Sequence, residues 1–312
     1  MDDVTDTVFR QVVHTNAPAD LYFTEFVNVD GLQSPGRPKL LKKLRFAATE
    51  GPLIAQLWGL IPENFEKTAS EIADGTFARE LGLPSGINFK GVDLNMGCPA
   101  KSEVKNGTCS ALMNNRPLAH EIIKATKRGA GKMPVSVKTR LGWSEIDYSW
   151  HEFLLGHNLD MLTIHGRTRR EMSKVPAHWD AIGEIVKIRD KIAKDTLIIG
   201  NGDILTKQQG RKLAKEYDLD GIMIGRGLFE NPFCLSEDGP RKWENYDVIG
   251  KIKLFREHVE LFADTWREGE RPLHTLNKFC KVYISGFDGA KEMREKLMNC
   301  QTITELYQHL QQ

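Results

Sequence analysis

Leu197-Ile198-Ile199-Gly200-Asn201-Gly202-Asp203, then an amphipathic stretch over Lys207 to Tyr217, then Gly221-Ile222-Met223-Ile224-Gly225-Arg226-Gly227, follow one another in a single run of the chain. Two short apolar runs, each closed by a glycine turn and separated by a helical pattern, predict a parallel strand–helix–strand unit. Backbone N–H groups in turns of this kind bind phosphate after the last strands of a parallel barrel, where glycine permits close approach. The same glycines also serve as ordinary loop punctuation. Arg226 beside the second turn adds a guanidinium suited to a bidentate grip on an anion.

Working outward, five more apolar runs precede this unit: Leu21 to Val27, Leu53 to Leu57, Gly91 to Asn95, Val135 to Thr139 and Met161 to His165. Helical patterns over Glu63 to Leu81, Leu118 to Arg128 and Trp179 to Ala193 lie between them. Strict alternation implies a parallel sheet with right-handed crossovers. An open doubly wound sheet satisfies the pattern too. Residues with chemistry, however, stand just after many different strands and not at one switch point, which favours an α/β fold of the (β/α)₈ barrel kind.

Leu235 to Asn245 is polar and carries Gly239 and Pro240, and no strand-like run follows it. The chain is therefore expected to divide into a barrel over residues 1–236 and a helical unit over 246–312, with helices at Ile249 to Trp266, His274 to Tyr283, Ala290 to Leu297 and Ile303 to Leu310. Lys+Arg 43 against Asp+Glu 42 leaves a formal charge of +1, so no global positive field announces a nucleic-acid partner. The five cysteines are scattered without C-x-x-C pairs, which suits a reducing cytoplasm and gives no zinc signature. No charged-then-apolar leader, long apolar run or lipidation motif is visible, and the expectation is a soluble, unanchored protein with no obligate protein partner evident.

Asn95-Met96-Gly97-Cys98-Pro99 follows a strand run, and its glycine and proline predict a sharp turn that lifts the Cys98 thiol over the barrel mouth as a proton donor. A cysteine near a strand end also serves as a small buried hydrophobe, and that structural role is the one expected of Cys109, at the start of a helical stretch. Lys138 and Arg140 are spaced by two and project to one side of their strand, either toward an anionic or electron-rich ligand or simply into solvent. His165-Gly166-Arg167-Thr168 repeats the arrangement one strand later, with an imidazole able to donate and accept, or to sit satisfied in the core. Patterns of the zinc deaminases are absent, so metal-activated water is not expected.

Together Asp93-Leu-Asn-Met-Gly-Cys-Pro, Val137-Lys-Thr-Arg-Leu-Gly, Thr163-Ile-His-Gly-Arg-Thr, Gly200-Asn-Gly-Asp-Ile and Ile224-Gly-Arg-Gly resemble the tRNA-dihydrouridine synthases over nearly the whole chain. That resemblance implies FMN over the barrel mouth, with Gln56, Lys138 and His165 at the isoalloxazine ring and Asn201, Gly202, Asp203, Gly225 and Arg226 at the ribityl phosphate. It implies NADPH as transient reductant, tRNA as partner, Asn95 and Arg140 on the edge of a flipped uridine, and Cys98 as the proton donor to C5. The sequence departs from the family at its start. Thr5-Asp6-x-x-Phe9-Arg10 is present, but the strand ending Ala-Pro-Met that precedes it in the family is not. Seven strands in a barrel with an open edge are therefore expected, with a native start upstream of Met1.

Two other functions fit part of this pattern. A reductase of free pyrimidines, such as a dihydroorotate or dihydropyrimidine dehydrogenase, would keep the barrel and FMN but has no need of the helical tail. A non-catalytic RNA-binding protein or tRNA chaperone would have no need of Cys98, Lys138 and His165. Lys278, Lys281, Lys291, Arg294 and Lys296 with Phe279 and Tyr283 could form a basic, stacking RNA face, or a solvated surface, since Asp288, Glu292 and Glu295 interleave with them.

Overall fold

A computed structural model of the chain describes residues 1, 3–267 and 269–311. Among these residues the strands are β1 (Tyr22–Phe23), β2 (Val27–Asn28), β3 (Leu53–Trp58), β4 (Gly91–Asn95), β5 (Val135–Arg140), β6 (Met161–His165), β7 (Leu197–Asn201) and β8 (Gly221–Met223). Every pairing is parallel, in the order β1-β3-β4-β5-β6-β7-β8, with β1 and β2 both pairing β3 and each later strand pairing the next in the chain. Every residue of β4 is buried, as a strand covered on both faces must be. Helices such as Pro62–Ala73, Arg116–Ala130, Trp179–Ile192 and Lys207–Glu216 make the crossovers. No pairing joins β8 to β1 among the described residues, so the sheet curls without closing its ladder, in line with the open edge expected.

The expected strand Leu21 to Val27 is broken in two. At the break the Thr24 side chain accepts the Gln56 N–H at 3.0 Å, and Glu25 turns its carboxylate to Arg271. The expected helix Glu63 to Leu81 is also broken, because Gly75 adopts φ 79° and restarts the chain as Thr76–Glu80. Helices Pro62–Ala73 and Arg116–Ala130 cross closely at Gly129, where a Cβ would stand 2.0 Å from the Glu66 carbonyl oxygen.

After β8 the chain is helical: Gly239–Glu244 inside the expected connector, then Val248–Thr265, Asn277–Tyr283, Ala290–Asn299 and Ile303–Leu310. These helices dock on an element the sequence analysis did not anticipate, Thr7–Asn16, whose N-terminus is capped by Asp6 accepting from the Phe9 N–H at 2.9 Å. Phe9 stacks on Phe279 at 5.1 Å and on Phe229 at 6.0 Å. Phe279 and Tyr283 are thus core residues, 4% and 1% exposed, and the expectation that they offer stacking faces to RNA is overturned by their burial against Phe9, Phe255 and His258. No helix is long and apolar enough to cross a membrane among the described residues.

Candidate active site

Parallel register gathers the predicted residues at one end of the sheet. Asn95 lies beside Lys138, Arg140 beside His165, His165 beside Asn201, and Asn201 beside Met223, just before Gly225 and Arg226. Gln56 sits opposite Asp93 one layer deeper. Carboxyl ends of neighbouring strands thus place six loops around one mouth, as a barrel requires.

Within that mouth the Cys98 turn is built by its neighbours. Asn95 Oδ1 accepts the N–H groups of Gly97 at 3.2 Å and Cys98 at 3.0 Å, while Arg140 Nε donates to the Gly97 carbonyl at 2.9 Å. Arg140 Nη1 donates to the carbonyls of Thr168 at 3.1 Å and Met172 at 2.9 Å, which ties the loop after β6 to the same turn and leaves Nη2 for a ligand. Gln56 Nε2 and Ser136 Oγ donate to the buried Asp93 carboxylate at 2.8 and 2.6 Å, and Asn95 Nδ2 reaches Gln56 Oε1 at 3.4 Å. This layer fixes the amides that face the mouth.

Cations dominate the electrostatics. Burial first, then Arg140, pulls the Lys138 ammonium down to about 8, against the opposing pull of Asp93 and Cys98. Burial, then Lys138, Arg140, Arg167 and Arg226, pulls His165 down to about 2, so its ring is neutral. Cys98 is lowered to about 7, chiefly by a hydrogen bond from the Cys109 thiol, with burial opposing it. Buried polar atoms without a partner cluster here: His165 Nδ1, Thr163 Oγ1 and Arg167 Nη1. Groups that have left water without pairing are costly unless something else binds them.

The two glycine turns adjoin this cluster. Asn201 Nδ2 donates to the Met223 carbonyl at 2.8 Å and holds β7 to β8. Gly202 has φ 135°, and a Cβ there would meet Ala177 Cβ at 2.8 Å, so only glycine fits. Nothing lies within 4 Å of a Cβ placed on Gly225. The Asp203 carboxylate is engaged by Arg167, by the Ala177 N–H at 2.9 Å and by Arg226 at 3.6 Å. It therefore orients two guanidiniums, and an anion would meet the backbone of Asp203, not its carboxylate. Arg167 was not among the expected site residues, although it follows His165 by two in the Thr163 to Thr168 motif; its partner Asp203 comes from another loop, a pairing that no local spacing reveals. Cys109, expected to be structural, is buried.

Three imidazoles make the fold sensitive to acid. Burial holds His151 to about 4 and His258 to about 3, as it does His165 to about 2. Native pKa values below the unfolded value contribute stability that is present above about pH 6.5 and lost as pH falls, because only the unfolded chain takes up those protons. Asp93, pushed up to about 6 by burial first, acts in the opposite sense, and its contribution is lost as pH rises through that value. Stability should consequently fall by about 2–3 kcal/mol per pH unit near pH 5. Urea midpoints at pH 7 and pH 5 check this, and a midpoint that holds or rises on acidification would refute it.

Known proteins match the chain along nearly its whole length. The dihydrouridine synthase (Dus) family model matches residues 1–312. Bacillus subtilis (strain 168) has a protein named "Probable tRNA-dihydrouridine synthase 2" that is 43% identical over 310 residues, 98% of this chain and 90% of that one. A "Probable tRNA-dihydrouridine synthase" of Staphylococcus aureus (strain Mu50) is 42% identical over 308 residues, 98% of this chain and 88% of that one. Among solved structures, morphinone reductase is similar at 13% identity over 78% of this chain and 82% of that one, with a TM-score of 0.49. With the family model matching residues 1–312 and these relatives 42–43% identical over 98% of the chain, the chain belongs to the dihydrouridine synthase family.

Proposed function

We propose that the protein is a tRNA-dihydrouridine synthase that binds FMN across the carboxyl ends of its strands, is reduced by NADPH, and saturates the C5–C6 bond of a uridine in tRNA. The observation that carries this reading is the set of unpartnered donors and acceptors around one mouth. His165 Nδ1 and Arg167 Nη1 are buried without partners, and Gly225 leaves open space beside them. Among the described residues the N–H groups of Gly202, Asp203, Gly225 and Arg226 donate to no protein acceptor. An aromatic ring system carrying a phosphate fits this arrangement, with Arg226, Arg167 and those N–H groups at the phosphate, and Gln56, Lys138 and His165 at the ring. When bound, FMN supplies the hydride for pyrimidine C6.

The chain's own residues do the rest. Asn95 Nδ2 and Arg140 Nη2 face the uracil edge, and their other hydrogen bonds lock them in place before substrate arrives. Cys98 Sγ, half-buried at the crest of the turn, gives its proton to C5 from the opposite side. Lys138 and Arg140 make the mouth cationic, which would favour the electron-rich character the pyrimidine takes on as it is reduced. In this reading residues 1–236 are the catalytic unit, 246–312 are the RNA-binding unit, and the protein works in the cytoplasm on free tRNA.

Visible absorption of the purified protein, followed by NADPH oxidation with unmodified tRNA, with free uridine and with neither, tests the proposal. Bound flavin and tRNA-dependent dihydrouridine are the expected results. A colourless protein would overturn the cofactor assignment, and turnover of free uridine at the tRNA rate would overturn the substrate assignment.

A further inference from the structure

The loop that follows β6 is closed around one carboxylate. Glu171 Oε2 accepts the Thr168 N–H at 2.7 Å and the Thr168 hydroxyl at 3.0 Å, and Glu171 Oε1 lies 2.8 Å from His178 Nε2. In return the Glu171 N–H donates to Thr168 Oγ1 at 3.3 Å, and the His178 N–H donates to the Gly166 carbonyl at 2.6 Å, so the two ends of the loop are drawn together. Met172, the residue after the carboxylate, takes φ 54°, a left-handed conformation that a residue with a side chain holds only when its surroundings impose it. The carbonyls fixed in this way, those of Thr168 and Met172, are the two that receive Arg140 Nη1, at 3.1 and 2.9 Å. Arg140 is 8% exposed, and its Nε donates to the Gly97 carbonyl in the Cys98 turn. One guanidinium thus joins the loop after β6 to the turn after β4. Burial first pulls it down to about 10, Arg167 and Arg226 act in the same sense, and Cys98 and Glu171 oppose them. Its contacts among the described residues are three neutral carbonyls, so its direction depends on how firmly those carbonyls are held.

We propose that Glu171 is a positioning residue for the substrate: by closing its loop it holds the Thr168 and Met172 carbonyls, and through them it sets the Arg140 guanidinium that meets the uracil edge. This rests on the role of Arg140 proposed above. Arg140 Nη2 has to meet the pyrimidine while the ring stays within reach of Cys98, and a misplacement of about 1 Å costs about 10²-fold in rate. Because the same guanidinium holds the Gly97 carbonyl, a loosened loop also loosens the turn that carries Cys98. One contact on the uracil edge is a small part of what holds a whole tRNA, so loss of Glu171 acts on the rate at saturating RNA and leaves the affinity nearly as it was.

Glu171→Ala and Glu171→Gln in the full-length protein test this with two readouts. The first is backbone hydrogen exchange, followed by mass spectrometry, of the peptides covering residues 95–99 and 166–178, which needs neither flavin nor RNA. In Glu171→Ala both peptides are expected to exchange about tenfold faster. Glu171→Gln, whose amide oxygen still accepts from Thr168, is expected to recover most of the protection. Faster exchange confined to residues 166–178 would leave the carboxylate a local brace and overturn the proposal. The second readout is single-turnover reduction of tRNA by pre-reduced enzyme. Glu171→Ala is expected to lower the rate at saturating tRNA about tenfold and to change the half-saturating concentration less than about twofold. Added to Arg140→Lys, it is expected to deepen the loss that Arg140→Lys causes alone by less than about twofold, because both act on one guanidinium. Additive losses, or a change in half-saturation alone, overturn the proposal. Should Arg140→Lys alone reduce tRNA at the parent rate, the uracil-edge role of Arg140 fails and this proposal with it, while exchange that still rises in both peptides would show that the brace itself stands.

Discussion

Cys98→Ala is expected to keep its flavin and to lose dihydrouridine formation by roughly 10²- to 10⁴-fold, the usual worth of a positioned general acid. The substitution removes little else. The turn is held through backbone groups, the Gly97 and Cys98 N–H groups on Asn95 Oδ1 and the Gly97 carbonyl on Arg140, and alanine preserves all three. The ring and phosphate ligands proposed for FMN lie on other strands, so flavin absorption should match that of the parent protein. Single-turnover measurements with pre-reduced enzyme isolate the chemical step, because NADPH oxidation is then outside the assay. A rate within twofold of the parent would remove Cys98 from the mechanism and leave solvent as the proton source.

Where the fold was legible in advance, one strand or one helix carried its own signal. β3 to β8 each stand as a short, largely apolar or β-branched run between turn residues, so their positions are legible to within about a residue. The break between β1 and β2 was hidden, since it depends on Glu25 meeting Arg271 from the far end of the chain. Thr7–Asn16 carries its own local signal, with Asp6 a good cap and Val8, Phe9, Val12 and Val13 at helical spacing. At the site, residue types and their strand ends were readable from spacing, whereas the bonds that set their roles were not. Arg140 bracing the Cys98 turn and Asp203 orienting Arg167 are products of neighbouring strand ends brought together by the curl of the sheet. Phe279 and Tyr283 read as surface aromatics beside lysines, and long-range packing accounts for their burial, of Phe279 against Phe9 and His258 and of Tyr283 against Phe255 and His258.

That docking rests on a buried ionic cluster, and Arg271→Met is expected to lower stability by about 3–5 kcal/mol at neutral pH. Arg271, 3% exposed, donates from Nη1 and Nη2 to the two oxygens of Glu25 at 3.1 and 3.2 Å and lies 3.2 Å through Nε from Asp6, which also accepts from Trp266 Nε1 at 3.2 Å. Methionine fills much of the same volume but deprives the fully buried Glu25 carboxylate of both its guanidinium hydrogen bonds. Burial already raises the Glu25 pKa, and Arg271 is the principal group opposing that rise. With Arg271 gone the native carboxyl titrates higher still. A group whose folded pKa is raised contributes most below its unfolded pKa and loses that contribution as pH rises, so the deficit of the variant should be greatest at neutral pH and shrink as pH falls toward the ordinary carboxylate range. Denaturant midpoints of the parent and Arg271→Met across pH 5 to 8 measure this, with Glu25→Gln/Arg271→Met expected to recover a substantial part of the loss. A deficit independent of pH, and unrelieved in the double variant, would assign the effect to the lost contact of the guanidinium with the Trp266 ring, 5.6 Å away. In that case Glu25 would be a passenger in the interface, which ring packing and the Trp266 Nε1 bond to Asp6 would hold without it.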